Sequence, residues 1–141
     1  MLPTPYKQLI TIGLLAAVLG GCEATGDAGG TRTFSDDAVP FEFEVPSDFT
    51  DETIDDANSR GEVLAAVGLS KVDLIAVRRV SPGAKPPTGP QRHEVLGHEV
   101  TSELHAVEGA DEYRIECQYT EESAEKVRSA CADALDSIVG K

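Results

Sequence analysis

Tryptophan is absent from this sequence, methionine occurs once, and aromatic residues make up 5% of it. So few rings cannot build the successive stacking platforms on which single-stranded nucleic acids or sugars rest. Basic residues are scarce as well. Twelve Lys+Arg stand against 25 Asp+Glu, for a formal charge of -13, and a surface of that sign repels phosphate backbones. No nucleic-acid partner is expected. The most apolar run, Leu9–Leu19, is shorter than the ~20 residues that a membrane-spanning helix requires. A chain of 141 residues, 40% hydrophobic and 26% charged, is then one small domain, neither a polytopic membrane protein nor a disordered tail.

What is present begins at the N-terminus. Lys7, the uncharged run Leu9–Leu19, and the small residues Gly20 and Gly21 ahead of Cys22 stand in the order of an export signal. Leu19-Gly20-Gly21-Cys22 resembles the lipobox of bacterial lipoproteins. The resemblance implies removal of residues 1–21 by signal peptidase II and a diacylglyceryl group on the Cys22 thiol. The protein would then be anchored at the outer face of the cytoplasmic membrane, because two acyl chains at ~0.8 kcal/mol per buried CH₂ hold stably where one is marginal. An ordinary secretory signal with Cys22 beside the cut is the alternative. Glu23–Thr33 has three glycines and no apolar periodicity, so residues 22–33 are expected to be the lipidated Cys and a flexible tether reaching about 17–20 Å. Residues 34–141 are expected to be the folded domain.

Lipidation of Cys22 leaves Cys117 and Cys131 as an even pair in an oxidising compartment. From Glu112 to Tyr119 odd positions are apolar and even positions polar. That is the period of a half-buried strand, with Cys117 facing the core and the other face wet. Thr120 suits an N-cap, Glu121 and Glu122 favour a helix start, and Ala124, Val127, Cys131, Ala134, Leu135 and Ile138 recur at helical spacing. Cys131 therefore also faces inward, and a Cys117–Cys131 disulfide is expected. Two reduced buried thiols are the alternative.

Phe41–Val45 alternates apolar and acidic residues and is stopped by Pro46, and Glu62–Leu69 and Val72–Val80 read as a central hairpin turning at Ser70-Lys71. Between Pro46 and Gly61 the acidic stretch with Phe49 and Ile54 is expected to be loop with a short helical turn. Residues 81–90 are a Pro-rich loop, 91–99 are ambiguous, and Val100–Val107 is a strand followed by a turn at Glu108–Asp111. The fold class is α+β, an antiparallel sheet packed by a C-terminal helix.

The succession Phe41–Pro46, Ala65–Leu69 with Asp73–Val77, Tyr113–Tyr119 and Ala130-Cys131 resembles small actinobacterial cell-envelope lipoproteins, some of which are similar to the PsbP-like fold. The chain departs from that fold's fuller pattern at residues 81–90, where a Pro-rich loop replaces a helix. The resemblance implies a binding or accessory role in the envelope toward a protein or small ligand, and it carries no catalytic residues.

Candidate chemistry is sparse. His93 and His98 are five residues apart. On a helix that points them about 140° apart, unlike the i, i+4 pair of a zinc protease, and on a single strand it puts them on opposite faces. His105 adds no recognised ligand spacing. Ser123-Ala124-Glu125-Lys126 has the S-x-x-K pattern without its companion motifs, and Ser123 suits a helix start. Asp48, Asp51, Glu52, Asp55 and Asp56 offer oxygens to calcium, but the twelfth position of a loop counted from Asp56 is Val67, which excludes an EF-hand. No catalytic, cofactor or metal residue is assigned. The expectation is a non-enzymatic, lipid-anchored binding or accessory module, with a carrier of a small lipid in a cavity beneath the helix as the alternative and an envelope hydrolase as the third class.

The cysteine pairing is directly checkable. Nonreducing peptide mapping should yield a peptide linked through Cys117 and Cys131. The double change Cys117→Ala with Cys131→Ala should lower unfolding stability by about 2–5 kcal/mol in denaturant titration.

Overall fold

A computed structural model describes residues 30–54, 57–58, 61–85 and 89–141. The expected signal segment, Cys22 and most of the tether lie outside the described residues, as do Asp55, Asp56 and positions 59–60 and 86–88. The chain divides into Met1–Thr31 and Arg32–Lys141, and the second unit is the one described below.

In chain order the strands are β1 (Thr31–Phe34), β2 (Phe41–Pro46), β3 (Thr50–Glu52), β4 (Ala57–Asn58), β5 (Gly61–Gly68), β6 (Leu74–Arg79), β7 (Gln91–Val95), β8 (His98–Ala106) and β9 (Tyr113–Tyr119). Helix α1 (Ala124–Asp136) and a last strand, β10 (Val139–Gly140), follow. A seven-stranded sheet runs β3-β5-β6-β9-β8-β7, with β4 also on β5, and a three-stranded sheet runs β10-β2-β1. Every pairing whose register is resolved is antiparallel. The fold is α+β, with antiparallel sheets and one C-terminal helix.

Alternation in β2 buries Phe41, Phe43 and Val45, and these meet Phe34, Phe49, Val67, Ile75, Val77, Ile115, Cys117, Ala130, Cys131 and Ala134 in one core. The rings pack as tilted and edge-to-face pairs: Phe34 on Phe43 at 5.3 Å, and Phe41 on Tyr113 at 5.6 Å and 87°. All four phenylalanines lie in this core, and the Phe41–Tyr113 pair joins the small sheet to the large one. The helix contributes Val127, Ala130, Cys131 and Ala134 to the same face, as the helical spacing predicts. Ala130 and Ala134 are small enough to let α1 approach the strands closely. The space beneath the helix is filled by Ile115, Val77 and Cys117, all essentially inaccessible.

The central hairpin forms, with Val67 opposite Ile75 and Gly68 opposite Leu74, but its connection is the five residues Leu69–Asp73, closed by the Leu69 N–H on the Asp73 carbonyl, rather than a tight turn at Ser70-Lys71. Gly68 is required there, because a Cβ would overlap the Asp73 carbonyl and the Leu74 Cα. Asp73 also fixes the entry to the helix. Its Oδ1 accepts from the Thr120 backbone N–H at 2.8 Å and from the Thr120 hydroxyl at 2.9 Å. Thr120 is consequently not the N-cap. Three turn residues intervene, and Ser123 stands at the cap without a side-chain bond.

Other expectations change for physical reasons. In the stretch after Pro46 a turn closed by the Phe49 N–H on the Pro46 carbonyl at 3.0 Å leads into β3 and, further on, β4, because the edge of β5 offers unpaired backbone groups to Thr50–Glu52 and to Ala57-Asn58. The end of the expected tether, Thr31–Thr33, belongs to β1. The ambiguous residues 91–99 are a hairpin whose two-residue turn, Leu96-Gly97, has φ of 51° and 82°, the left-handed pair of a type I′ turn.

The largest correction concerns β9. Its even positions are not wet: Arg114, Glu116 and Gln118 are as buried as their apolar neighbours. Arg78 and Glu116 form an ion pair, Nε to Oε1, at 2.5 Å, with both side chains 1% exposed. Gln118 donates to the carbonyls of Lys71 and Val72, and Arg114 to those of Asp111 and Tyr113. Glu116→Gln alone should destabilise the domain by about 3–5 kcal/mol, because it removes the carboxylate charge that Arg78 Nε meets at 2.5 Å in a site both side chains share almost without solvent. The joint replacement Arg78→Met with Glu116→Leu should cost less than the sum of the single changes, measured as a double-mutant cycle in urea.

Candidate functional site

Antiparallel register decides which side chains share a face. Between β8 and β9, Glu103 lies opposite Cys117 and His105 opposite Ile115, so both point toward the side that α1 covers. Cys131 descends from the middle of the helix, and the structure holds it at disulfide distance from Cys117, with Cα atoms 6.1 Å apart. Toward the sheet edge the face turns polar. The carboxylate of Glu103 accepts a short hydrogen bond from the Tyr119 hydroxyl. The Arg128 guanidinium reaches it from the helix at 3.3 Å, and the His105 Nε2 stands 3.6 Å from its other oxygen.

Glu103, His105, Arg128 and Leu135, with Cys117 and Cys131, line a pocket of about 330 Å³ between helix and strand. His105 and Arg128 reach solvent, whereas Glu103 is mostly covered. Burial, then the hydrogen bond to Glu103 and its charge, push the Tyr119 phenol up to about 12, with Arg128 opposing them. The ligand atoms of His105, Cys117 and Cys131 all lie within 4.8 Å of one another. Sequence spacing does not reveal this trio, since His105 meets Cys117 only through the β8–β9 register and Cys131 only through the helix face.

The remaining candidates disperse or close up. The hairpin puts His93 opposite Val100 and His98 opposite Val95. Both histidines therefore share one face, contrary to the single-strand expectation, because the turn between them reverses the chain and restores the parity. His93 Nε2 is 2.8 Å from Ser102 Oγ, a nucleophile-and-base distance. Ser102, however, is 2% exposed. It lies in a strand paired on both edges, where the ladder engages the backbone N–H groups that an oxyanion would need. Of the acidic residues considered for calcium, Asp48 pairs with Lys126, Asp51 with Arg32 at 3.1 Å, and Glu52 with Lys71 at 4.0 Å. Three separate cations thus hold the described members of that set. Ser123 caps the helix, and Lys126, its partner in the S-x-x-K pattern, is committed to Asp48.

No protein-family model matches the chain, and no curated protein matches it. Among solved structures it is similar to the solution structure of cyanobacterial PsbP (CyanoP) from Synechocystis sp. PCC 6803, at a TM-score of 0.46 and 9% identity. The similarity covers 82% of this chain and 95% of that one.

Tyr119 supplies a pH test of the site. Its folded-state pKa is raised above the ordinary 10, so the native state keeps a proton that the unfolded chain loses. The contribution to stability is full below pH 10 and is lost as pH rises toward about 12. A phenolate-absorbance titration should show one late tyrosine, absent in Tyr119→Phe. The wild-type denaturation midpoint should fall more steeply across that window than the variant's.

Proposed function

We propose that this chain is a non-enzymatic, lipid-anchored protein of the bacterial cell envelope, acting as a binding or accessory module at the outer face of the cytoplasmic membrane. The observation that carries the proposal is the N-terminal order of Lys7, the apolar run Leu9–Leu19, and Gly20-Gly21 immediately before Cys22. Removal of residues 1–21 makes Cys22 the first residue and the site of the diacylglyceryl group. The membrane is then a partner through that group, and the second partner is an envelope protein or a small ligand.

The organisation of the chain supports this reading. The first strand of the described domain starts at Thr31, C-terminal to Cys22, so the folded unit lies beyond the residue that would be acylated. No helix among the described residues is long and apolar enough to cross a membrane. The formal charge is -13 for the full chain and one unit more negative once Lys7 is removed with residues 1–21, which repels anionic headgroups. The ionisable side chains at the helix–sheet pocket are tied to one another rather than arranged as an accessible nucleophile with its base, which favours binding over turnover. The helix–sheet interior is packed with side chains, which favours recognition at the surface over a carrier's cavity.

Detergent phase separation of the full chain expressed in a bacterial host tests the anchor. Wild-type protein should enter the detergent phase and show the mass of a chain beginning at acylated Cys22, and Cys22→Ser should remain unprocessed or enter the aqueous phase. Wild-type protein found in the aqueous phase without an acyl mass would overturn the proposal.

A further inference from the structure

We infer that the Cys117–Cys131 pair, once reduced, forms with His105 a binding site for a zinc-like divalent cation, so that the disulfide acts as a redox gate on metal binding. The inference goes beyond the anchored-module reading and does not depend on lipidation.

Three donors of the right chemistry already converge. Two cysteine sulfurs and one imidazole lie within 4.8 Å of one another, on a β-strand, a helix and a neighbouring strand that the core holds in place. Thiolate and imidazole are the ligand set of zinc sites. At Zn–S of about 2.3 Å, tetrahedral geometry places two sulfurs about 3.8 Å apart. A disulfide holds them near 2 Å, and rotation about the two χ1 bonds supplies the difference with Cα atoms left 6.1 Å apart. Two features beyond the trio fit a metal centre. Glu103 Oε1 lies 3.6 Å from His105 Nε2 while Tyr119 and Arg128 hold its other oxygen, so a small movement of the ring lets Nε2–H donate to this carboxylate with Nδ1 turned to the ion. The pocket of about 330 Å³ lined by the two cysteines gives the ion an entry path and leaves the fourth coordination position open to water or a small anion.

In the disulfide form each sulfur is neutral and bonded to the other, so the site lacks its charge and its geometry. Reduction by a dithiol moves two electrons and two protons to the pair, giving two protein thiols and the donor's own disulfide. The cation then displaces one proton from each thiol and binds the two thiolates and the neutral imidazole. Oxidation by a disulfide reverses both steps and expels the ion.

The full chain, reduced with a phosphine and desalted without air, should bind one equivalent of Co²⁺, with thiolate charge-transfer and tetrahedral d–d bands that Zn²⁺ abolishes. The oxidised chain should show neither. Glu103→Gln should weaken Zn²⁺ binding by about 10–100-fold, and His105→Ala by more than that with loss of the tetrahedral bands. Near-UV circular dichroism follows the fold: a reduced chain that stays folded, or regains its signature only with Zn²⁺, supports the site. The inference is overturned if the reduced chain binds Co²⁺ no more tightly than Cys117→Ser with Cys131→Ser, or if His105→Ala keeps wild-type affinity and spectrum. A reduced chain that unfolds and is not recovered by Zn²⁺ overturns it equally.

Discussion

Strand Tyr113–Tyr119 is hydrogen-bonded along both edges and buried on both faces, and the rest of the domain is arranged to satisfy that condition. A strand with no wet side must find a partner for every polar atom from within the protein. On the helix-facing side the solution is apolar, with Ile115 and Cys117 packed under α1. On the other it is electrostatic. Arg78 is placed by the neighbouring strand beside Glu116, and its Nη1 also donates to the Gly61 carbonyl. Burying two charges costs several kcal/mol each in desolvation, so such a pair is weak as a source of net stability and strong as a constraint. A slip of one residue between β6 and β9 would bring the charges to the core face and Ile115 to theirs. The ion pair thereby fixes the register on which the helix-facing side depends.

Polarity grows along that side from centre to edge. Over Val77 and Ile115 the helix meets hydrocarbon. One strand further out it meets the Glu103 carboxylate, held by Tyr119 and Arg128. The phenol that burial keeps protonated is a dependable donor at neutral pH, so the carboxylate stays oriented whatever the state of His105. An exposed arginine and a half-exposed histidine then leave the seam accessible to solvent just where the two sulfurs lie beneath it.

How much of this can be read in the sequence depends on whether the information is local. Period two in Tyr113–Tyr119 and period 3.6 in Ala124–Leu135 are local, and they place Cys117 and Cys131 on facing surfaces. The α+β class follows from them and from the central hairpin. Alternation, however, reports only that Arg114, Glu116 and Gln118 share a face, and it is silent on whether that face meets water. The small sheet escapes because β10 is two residues long and joins β2 across nearly the whole domain, Val139 opposite Glu42. His105 escapes for the same reason: its proximity to the sulfurs is set by pairing two strands and then covering them with a helix, and no spacing in the chain encodes it. The parity of His93 and His98 hinged on a Leu96-Gly97 turn, where a non-glycine residue takes positive φ and the usual Asn-Gly signal is missing.

The placement of the helix limits what the fold loses when the sulfur pair opens. A link between positions 14 residues apart removes only the entropy of a short loop, about 3 kcal/mol by chain-closure reasoning. That loop is made of two elements already consecutive in the chain. The helix is held independently at both ends. Asp73 fixes Thr120 ahead of it. Beyond it, Ser137 Oγ accepts from the Glu44 backbone N–H at 2.8 Å, Val139-Gly140 pair with β2, and the Lys141 N–H donates to the Pro40 carbonyl at 3.1 Å. Val127, Ala130 and Ala134 keep its buried stripe on the core. Cutting the bond therefore releases a constraint that its surroundings duplicate. Two thiols left facing each other beside an imidazole, rather than a detached helix, are the consequence that a reversible sulfur centre requires.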